Sequence, residues 1–149
     1  MNKEEEIQQK LLIKFPYLDG KIRIQRVRRI FVNVPSEKID EVLNFADQDL
    51  NFSTLCTISG LDEGATLGFI YHLARADGII LNLSINVPKE NPVINTVKNR
   101  FPNSIIYERE LVDLLGAKVQ GLPEGPRYPL TDDWPAGLYP LRKDQKKEQ

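Results

Sequence analysis

The apolar residues of this chain follow two periodicities, and the changes between them divide the sequence into predicted elements. Between residues 3 and 15, apolar side chains recur at the three- and four-residue spacing of an amphipathic helix, at Ile7, Leu11, Leu12 and Phe15. Pro16 ends that helix. Over residues 21–34 the apolar positions alternate instead, at Ile22, Ile24, Ile30, Val32 and Val34, which predicts one half-buried strand.

The middle of the chain predicts a second helix, a strand and a hairpin. Ser36 is the expected N-cap of the helix, whose inner stripe is Ile39, Val42, Leu43 and Ala46. A strand through Phe52, Leu55 and Ile58 follows and ends at residues 60–64. Two alternating runs, residues 66–74 and 78–87, are joined at Asp77-Gly78, a typical hairpin turn.

Two more helices are expected before the sequence changes character. Asn91-Pro92 is typical of an N-cap and first helical position, leading through Val93 to Phe101. Another helix begins near Ser104 and ends at Gly116, a typical left-handed cap. These elements predict an α+β domain over residues 1–116, with about four mostly antiparallel strands and helices packed on one face.

Residues 117–149 predict an extended tail that docks on a partner. From Gly116 onward the chain holds five of its ten prolines and four of its nine glycines, which excludes a helix or central strand over residues 122–130. Apolar residues are nevertheless scattered along it, and Trp134 is the natural anchor at an interface. The final residues, 143–149, are charged and are expected to fray.

The charge distribution leaves three interpretations of one segment open. The net charge of −1 gives no general attraction to nucleic acid or to an anionic membrane. Residues 21–29 nevertheless hold Lys21, Arg23, Arg26, Arg28 and Arg29 without an acid. This strand could be a protected sheet edge, a contact for an acidic protein, or a nucleic-acid-binding surface. Against the last, no aromatic residues alternate with the arginines to stack bases.

The cysteine and histidine content excludes several kinds of site. Cys56 is the single cysteine, so an intrachain disulfide is impossible and iron–sulfur ligands are lacking; we expect it to be a buried apolar residue. His72 is the single histidine and is expected to be held by a hydrogen bond in a strand. We predict no metal, no cofactor and no catalytic residue. Without a long apolar run or a signal-peptide pattern, the chain is expected to be soluble and to reach a membrane only through partners.

Two charged motifs carry the remaining information. The first is Glu108–Gly116, a short apolar helix with acids at Glu108, Glu110 and Asp113 and a base at Arg109. Glu108 lies on the same helical face as Leu111 and Leu115. Paired carboxylates could serve acid–base chemistry, but no nucleophile or histidine accompanies them. The second motif is residues 140–144, which include Arg142, Lys143 and Asp144. A charge network reaching a partner is the sharper interpretation, and an ordinary surface helix is the alternative.

Together these motifs resemble the 30-kilodalton subunit of respiratory complex I and its relatives in membrane-bound nickel–iron hydrogenases. The resemblance also covers residues 32–35 and 71–73, Gly121, Pro123 and Trp134. Complex I members usually carry Gly-His-Pro where this chain has Gly121-Leu122-Pro123, followed by a longer segment. This version is similar to the hydrogenase branch, which includes the N-terminal part of the large subunit of formate hydrogenlyase.

The resemblance implies a subunit without a cofactor that clamps the catalytic large subunit, beside an iron–sulfur small subunit. The nickel–iron centre and the clusters would belong to these partners, on the cytoplasmic side of the membrane. The interface residues it implies are Glu108, Arg109, Glu110, Asp113, Gly116, Arg127, Trp134, Arg142, Lys143 and Asp144. A quinone-linked complex I subunit and a nucleic-acid-binding module are the alternatives. Without its partners, the chain could hide its docking surface by self-association.

Overall fold

Three α-helices and seven strands form from the alternating and helical segments of residues 1–145, the part of the chain described by this computed structural model. In chain order the elements are α1 (Lys3–Lys14), β1 (Ile22–Arg26), β2 (Arg29–Asn33), α2 (Ile39–Gln48), β3 (Thr54–Asp62), β4 (Thr66–Ala74), β5 (Ile80–Pro88), β6 (Val93–Asn95), α3 (Ser104–Leu115) and β7 (Lys118–Gln120). Short 3-10 helices at Pro16–Leu18 and Ser36–Lys38 precede β1 and α2.

Five of the strands form one sheet in the order β1-β2-β5-β4-β3. β1 and β2 pair antiparallel, whereas β2 and β5 are parallel, with Ile30 opposite Leu81. The other two strands, β6 and β7, form a separate parallel pair in which Ile94 lies opposite Val119. The predicted α+β class is confirmed, with more strands than the four expected. Among the described residues, no helix is long and apolar enough to cross a bilayer.

The described chain divides into two compact units. The first comprises residues 1–57 and 70–85, and its buried core includes Leu11, Ile30, Val32, Leu43 and Leu81. The second comprises residues 58–69 and 86–149, of which all but residues 146–149 are described. Its core includes Leu67, Phe69, Ile94, Phe101 and Leu115. The predicted boundary after Gly116 between a domain and a tail stays a prediction.

Gly60 shows how closely α3 packs in the second unit. A Cβ atom on Gly60 would lie 2.8 Å from Cδ2 of Leu111 and closer still to Leu115. Both leucines are buried on α3, so a side chain at residue 60 would force the helix and strand apart. This glycine interrupts an otherwise regular strand pattern because the helix lies directly against it.

Three local predictions are corrected. The single strand over residues 21–34 is a hairpin, because Arg28 takes the left-handed conformation at φ 63° and reverses the chain. The helix expected from Asn91 is instead the strand β6, whose hydrogen-bonded partner β7 is remote in sequence. Cys56, expected to be buried, is exposed. The expected hydrogen bond of His72 is confirmed, with Nδ1 2.5 Å from Oδ1 of Asn82.

Candidate functional site

The end of α3 is the point to which the second charged motif returns. Gly116 terminates the helix in the left-handed conformation at φ 76°, as predicted. Its amide donates to the carbonyl of Val112 at 3.0 Å, and the amide of Ala117 donates to that of Leu111 at 3.2 Å. This double closure satisfies two of the carbonyl groups that every helix leaves unpaired at its C-terminus.

Arg142 supplies a further cap to the same helix end. Its Nε donates to the carbonyl oxygen of Leu115 at 2.6 Å, and the amide of Leu141 donates to the carbonyl of Leu114 at 3.0 Å. The guanidinium also lies over the ring of Tyr139, 5.0 Å from its centre. A positive charge is favourable here because the C-terminus of a helix carries partial negative charge. Arg142 therefore fixes residues 140–144, which we call the returning segment, at the end of α3.

Asp62 and Lys89 hold the next two residues of the returning segment. The Asp62 carboxylate accepts from the amide of Lys143 at 2.7 Å and from that of Gly64 at 2.9 Å. Nζ of Lys89 lies 2.6 Å from Asp62 and 3.1 Å from Asp144. We call Asp62, Lys89, Arg142 and Asp144 the return cluster. The Lys89 ammonium and the two amides hold the pKa of Asp62 well below its usual range, and the Asp62 carboxylate raises the pKa of Lys89.

Replacing Asp62 with Asn is expected to change how stability depends on pH. A carboxyl whose pKa is lowered by folding contributes stability above its unfolded value of 3.8, and this contribution disappears as the pH falls through the native value. Urea midpoints measured from pH 7 downward should therefore fall more steeply for the natural chain than for Asp62→Asn. The two curves should approach each other in acid; parallel curves would contradict the assignment.

Glu108 is buried within the second unit. Its Oε1 accepts from the hydroxyl groups of Thr96 at 2.6 Å and Ser104 at 2.8 Å. Its Oε2 accepts from the amide of Val97 at 3.1 Å. The side chain is 0% exposed, so its carboxylate tethers the segment after β6 to α3. The interface role predicted for Glu108 stays a prediction, and a buried tether is what the geometry supports.

The other predicted charged residues contact the segment after β7. Arg109 donates to the carbonyl of Pro123 at 3.3 Å, and its Cζ would lie 2.7 Å from a Cβ at Gly125. Asp113 accepts from the amide of Leu130 at 3.2 Å. These contacts hold residues 123–130 along α3. The expected ion pairing of these side chains with a partner stays a prediction.

Within the tail, Arg127 and Trp134 close a loop. Nη1 of Arg127 donates to the carbonyl of Trp134 at 2.6 Å, while the indole Nε1 donates to the carbonyl of Leu138 at 2.7 Å. The indole is only half-buried, which leaves part of its surface for another contact. The loop therefore holds Trp134 in a defined orientation.

Two predicted residues present their charges outward. Lys143 is exposed and only its backbone amide is bound within the described chain. Glu110 is half-buried on α3, and none of the ion pairs within residues 1–145 involves its carboxylate. Another protein could engage either of these side chains without breaking a bond within the described chain.

An open cavity of about 390 Å³ lies beside the return cluster. Its lining includes Lys89, Arg142, Asp144 and Gly64. Charged groups of both signs line it, and Lys89, Arg142 and Asp144 already bind one another or backbone atoms. Within residues 1–145, no group of three His, Cys, Asp or Glu side chains is placed to hold a metal ion. The charged side chains of the return cluster therefore hold residues 142–144 in place by hydrogen bonds and ion pairs.

Sequence reasoning missed Asp62 and Lys89, which do most to hold Lys143 and Asp144. Asp62 lies in a segment bounded by two glycines, where the sequence predicts a turn, but it is the last residue of β3. Lys89 follows Pro88 at the end of β5. The sequence held one indication of their role, which was their charge. An acid and a base lie at the ends of two predicted elements, and the motif at residues 140–144 carries both charges.

The sequence of this chain is similar to those of several known proteins. Residues 32–149 match the sequence profile of the family described as respiratory-chain NADH dehydrogenase, 30 Kd subunit. The membrane-bound hydrogenase subunit beta of Pyrococcus furiosus is 30% identical, with 98% of this chain and 88% of that protein aligned. A subunit of the F(420)H(2) dehydrogenase of Methanosarcina mazei is 34% identical. That alignment covers 88% of this chain and 84% of the Methanosarcina mazei subunit.

A solved structure shows the same fold over nearly the whole chain. It is that of the membrane-bound sulfane sulfur reductase, described as an archaeal respiratory membrane complex. One of its chains superposes with a TM-score of 0.86 at 29% sequence identity. The superposition covers 97% of this chain and 86% of that one.

Proposed function

Because this chain belongs to the family of the 30 Kd subunit of respiratory-chain NADH dehydrogenase, we propose that it is a structural subunit of a membrane-associated oxidoreductase complex. More specifically, we propose a complex of the energy-converting nickel–iron hydrogenase type. The observation that carries the proposal is the alignment of nearly all of this chain with nearly all of the Pyrococcus furiosus hydrogenase subunit. The chain itself would be non-catalytic and peripheral, on the cytoplasmic side, and held at the membrane by other subunits.

The geometry of α3 and the returning tail supports a clamping role. Arg142 and Asp62 fix the backbone of residues 141–143 at the helix end, so the exposed Lys143 side chain is presented in a set direction. A surface that is ordered before binding loses less conformational entropy in an interface. The buried Glu108 and the bound Asp113 would shape this surface, while Glu110, Lys143 and the free part of Trp134 would contact the catalytic large subunit.

Charge pairs at such a surface set partner choice and register more than affinity. An acid at Glu110 and a base at Lys143 would require a large subunit with the opposite charges in matching positions. The nickel–iron centre and the iron–sulfur clusters would then belong to that large subunit and to a small subunit beside it. The proposal gives this chain no cofactor.

A quinone-linked complex I subunit and a sulfur-reductase subunit are the second candidates, because a relative in sequence and a neighbour in structure are named for such complexes. The metal content of the partner distinguishes them. The tagged chain would be purified from gently solubilised native membranes, and its partners would be identified by mass spectrometry. Nickel in the recovered complex, with hydrogen-dependent dye reduction, supports the hydrogenase type; recovery of a nickel-free large subunit would overturn it.

Reversing the two outward charges is expected to weaken the complex without unfolding the chain. Glu110→Lys combined with Lys143→Glu keeps the net charge and breaks no described internal bond, so the urea midpoint should stay the same. We expect recovery of the large subunit to fall about tenfold, which corresponds to about 1.4 kcal/mol. Glu6→Lys with Lys10→Glu on α1 is the matched control and should leave recovery unchanged. Equal losses in both variants would contradict the assignment.

A further inference from the structure

Within residues 1–145, the hairpin of β1 and β2 leaves the outer edge of β1 without a strand partner. β1 is the outermost strand of its sheet. One edge of β1 pairs with β2, and its other edge pairs with no strand of the described chain. An unpaired edge presents backbone N–H and C=O groups that can bind another extended segment. The turn is held in place because the amide of Arg28 donates to Oε1 of the buried Glu4 at 2.8 Å.

Five cations surround this edge, and none is neutralised within the described chain. They are Lys21, Arg23, Arg26, Arg28 and Arg29. The ion pairs formed within residues 1–145 include none of them. The guanidinium of Arg23 lies over the ring of Phe31, 5.2 Å from its centre, and is therefore held against the sheet.

The two faces of β1 differ in chemistry. Ile22 and Ile24 lie opposite Val32 and Ile30, which are fully buried, yet the two isoleucines are only half-buried. The apolar face of the sheet thus reaches the edge, where it is only partly covered. On the other face, Arg23 lies opposite Phe31, and Lys21 precedes it by two residues. A strand added to this edge would meet isoleucines on one side and cations on the other.

A cavity of about 460 Å³ extends from the cationic face. Its lining includes Lys21, Arg23, Phe31 and Asn33 and no acidic residue of the described chain. A carboxylate entering this space could accept hydrogen bonds from a guanidinium or an ammonium group. Protection of the edge explains why charges are present there, but it does not explain a basic cavity next to half-buried isoleucines.

We propose that β1 binds an extended segment of a partner subunit in which acidic residues alternate with branched apolar ones. The segment would pair with the free edge as an additional strand, its carboxylates directed at Lys21 and Arg23 and its apolar side chains at Ile22 and Ile24. The same cations repel a second copy of this chain, which selects against self-pairing. The inference rests on the proposed function, since the segment belongs to the same complex. It concerns a different surface, because β1 shares no residue with α3 or with the segment that returns to its end.

A photo-crosslinking amino acid at position 23 of the full-length tagged chain tests the contact in native membranes. The expected product is a crosslink to one partner subunit, within a segment of alternating acidic and apolar residues. The same reagent at position 48, an exposed residue at the end of α2, should not label that segment. Crosslinks from position 23 to lipid or to nucleic acid, or only within the chain, would overturn the proposal.

Charge reversal provides the second readout. Arg23→Glu with Arg26→Glu is expected to reduce recovery of the crosslinked subunit at least tenfold. Lys10→Glu with Lys14→Glu on α1 changes the net charge equally and should leave recovery as in the natural chain. If every subunit is recovered equally with both variants, the edge is not a docking site. If the natural chain itself recovers no subunit, the proposed function fails.

Discussion

Replacing Glu108 with alanine is expected to lower the free energy of unfolding by about 3–5 kcal/mol, because three donors lose a shared buried acceptor. The hydroxyls of Thr96 and Ser104 and the amide of Val97 all bind this carboxylate. Ser104 is itself fully buried, so its hydroxyl is not in contact with bulk solvent. Urea denaturation followed by circular dichroism measures the change.

Two variants separate this tether from other effects. Glu108→Gln keeps one oxygen acceptor but places an NH₂ group against donors, so its loss should be intermediate, about 1.5–3 kcal/mol. Glu110→Ala, on the same helix, should change stability by no more than about 0.5 kcal/mol. A stable Glu108→Ala protein that fails to bind partners would instead make Glu108 an interface residue, as the sequence alone suggests.

Replacing Gly116 with alanine is expected to cost about 2–5 kcal/mol, from two sources. The residue lies at φ 76°, where a side chain costs about 1–2 kcal/mol. A Cβ atom would also lie 2.6 Å from Cε2 of Tyr139 and 2.9 Å from Nη2 of Arg142, and such crowding adds about 1–3 kcal/mol. The displaced Arg142 would lose its bond to the carbonyl of Leu115, so recovery of the complex should fall as well.

Gly137 provides the matched control for this substitution. Its φ is 79°, but nothing lies within 4 Å of the position that a Cβ would take. Gly137→Ala should therefore show only the backbone strain of about 1–2 kcal/mol. Unfolding midpoints measured on both variants isolate the close approach of Tyr139 and Arg142. Equal losses would mean that the returning segment does not depend on the space at residue 116.

The parts of the fold that could be predicted are those specified by nearby residues. The hairpin of β4 and β5 and the end of α3 at Gly116 follow from local alternation and turn chemistry, and both are confirmed. The turn at Arg28 could not be found this way, because a buried acid from α1 supports a left-handed residue that is not glycine. The sequence predicts a helix in place of β6 because the strand character of β6 depends on β7.

The candidate site shows the same division. Its charged residues on α3 and in the tail were recognisable from their types and spacing. That Asp62 and Lys89 would meet Lys143 and Asp144 was not, because no local rule links positions so distant. The position of Glu108 on the same helical face as Leu111 and Leu115 indicates that it is buried. What the sequence could not supply was the set of donors from Thr96, Val97 and Ser104 that makes burial of that carboxylate tolerable.

The bond from the Lys143 amide to Asp62 has a consequence for biosynthesis, because its two ends are 81 positions apart. A ribosome adds roughly 5–20 residues per second, so Asp62 is made about 4–16 s before the Lys143 amide that donates to it. During that interval the return cluster is incomplete and α3 lacks its Arg142 cap. The second unit therefore finishes folding late, after the first unit's strands have all been synthesised. If this surface docks on a partner as proposed, a subunit that meets the nascent chain in this window would encounter it unfinished, and assembly would follow completion of the second unit.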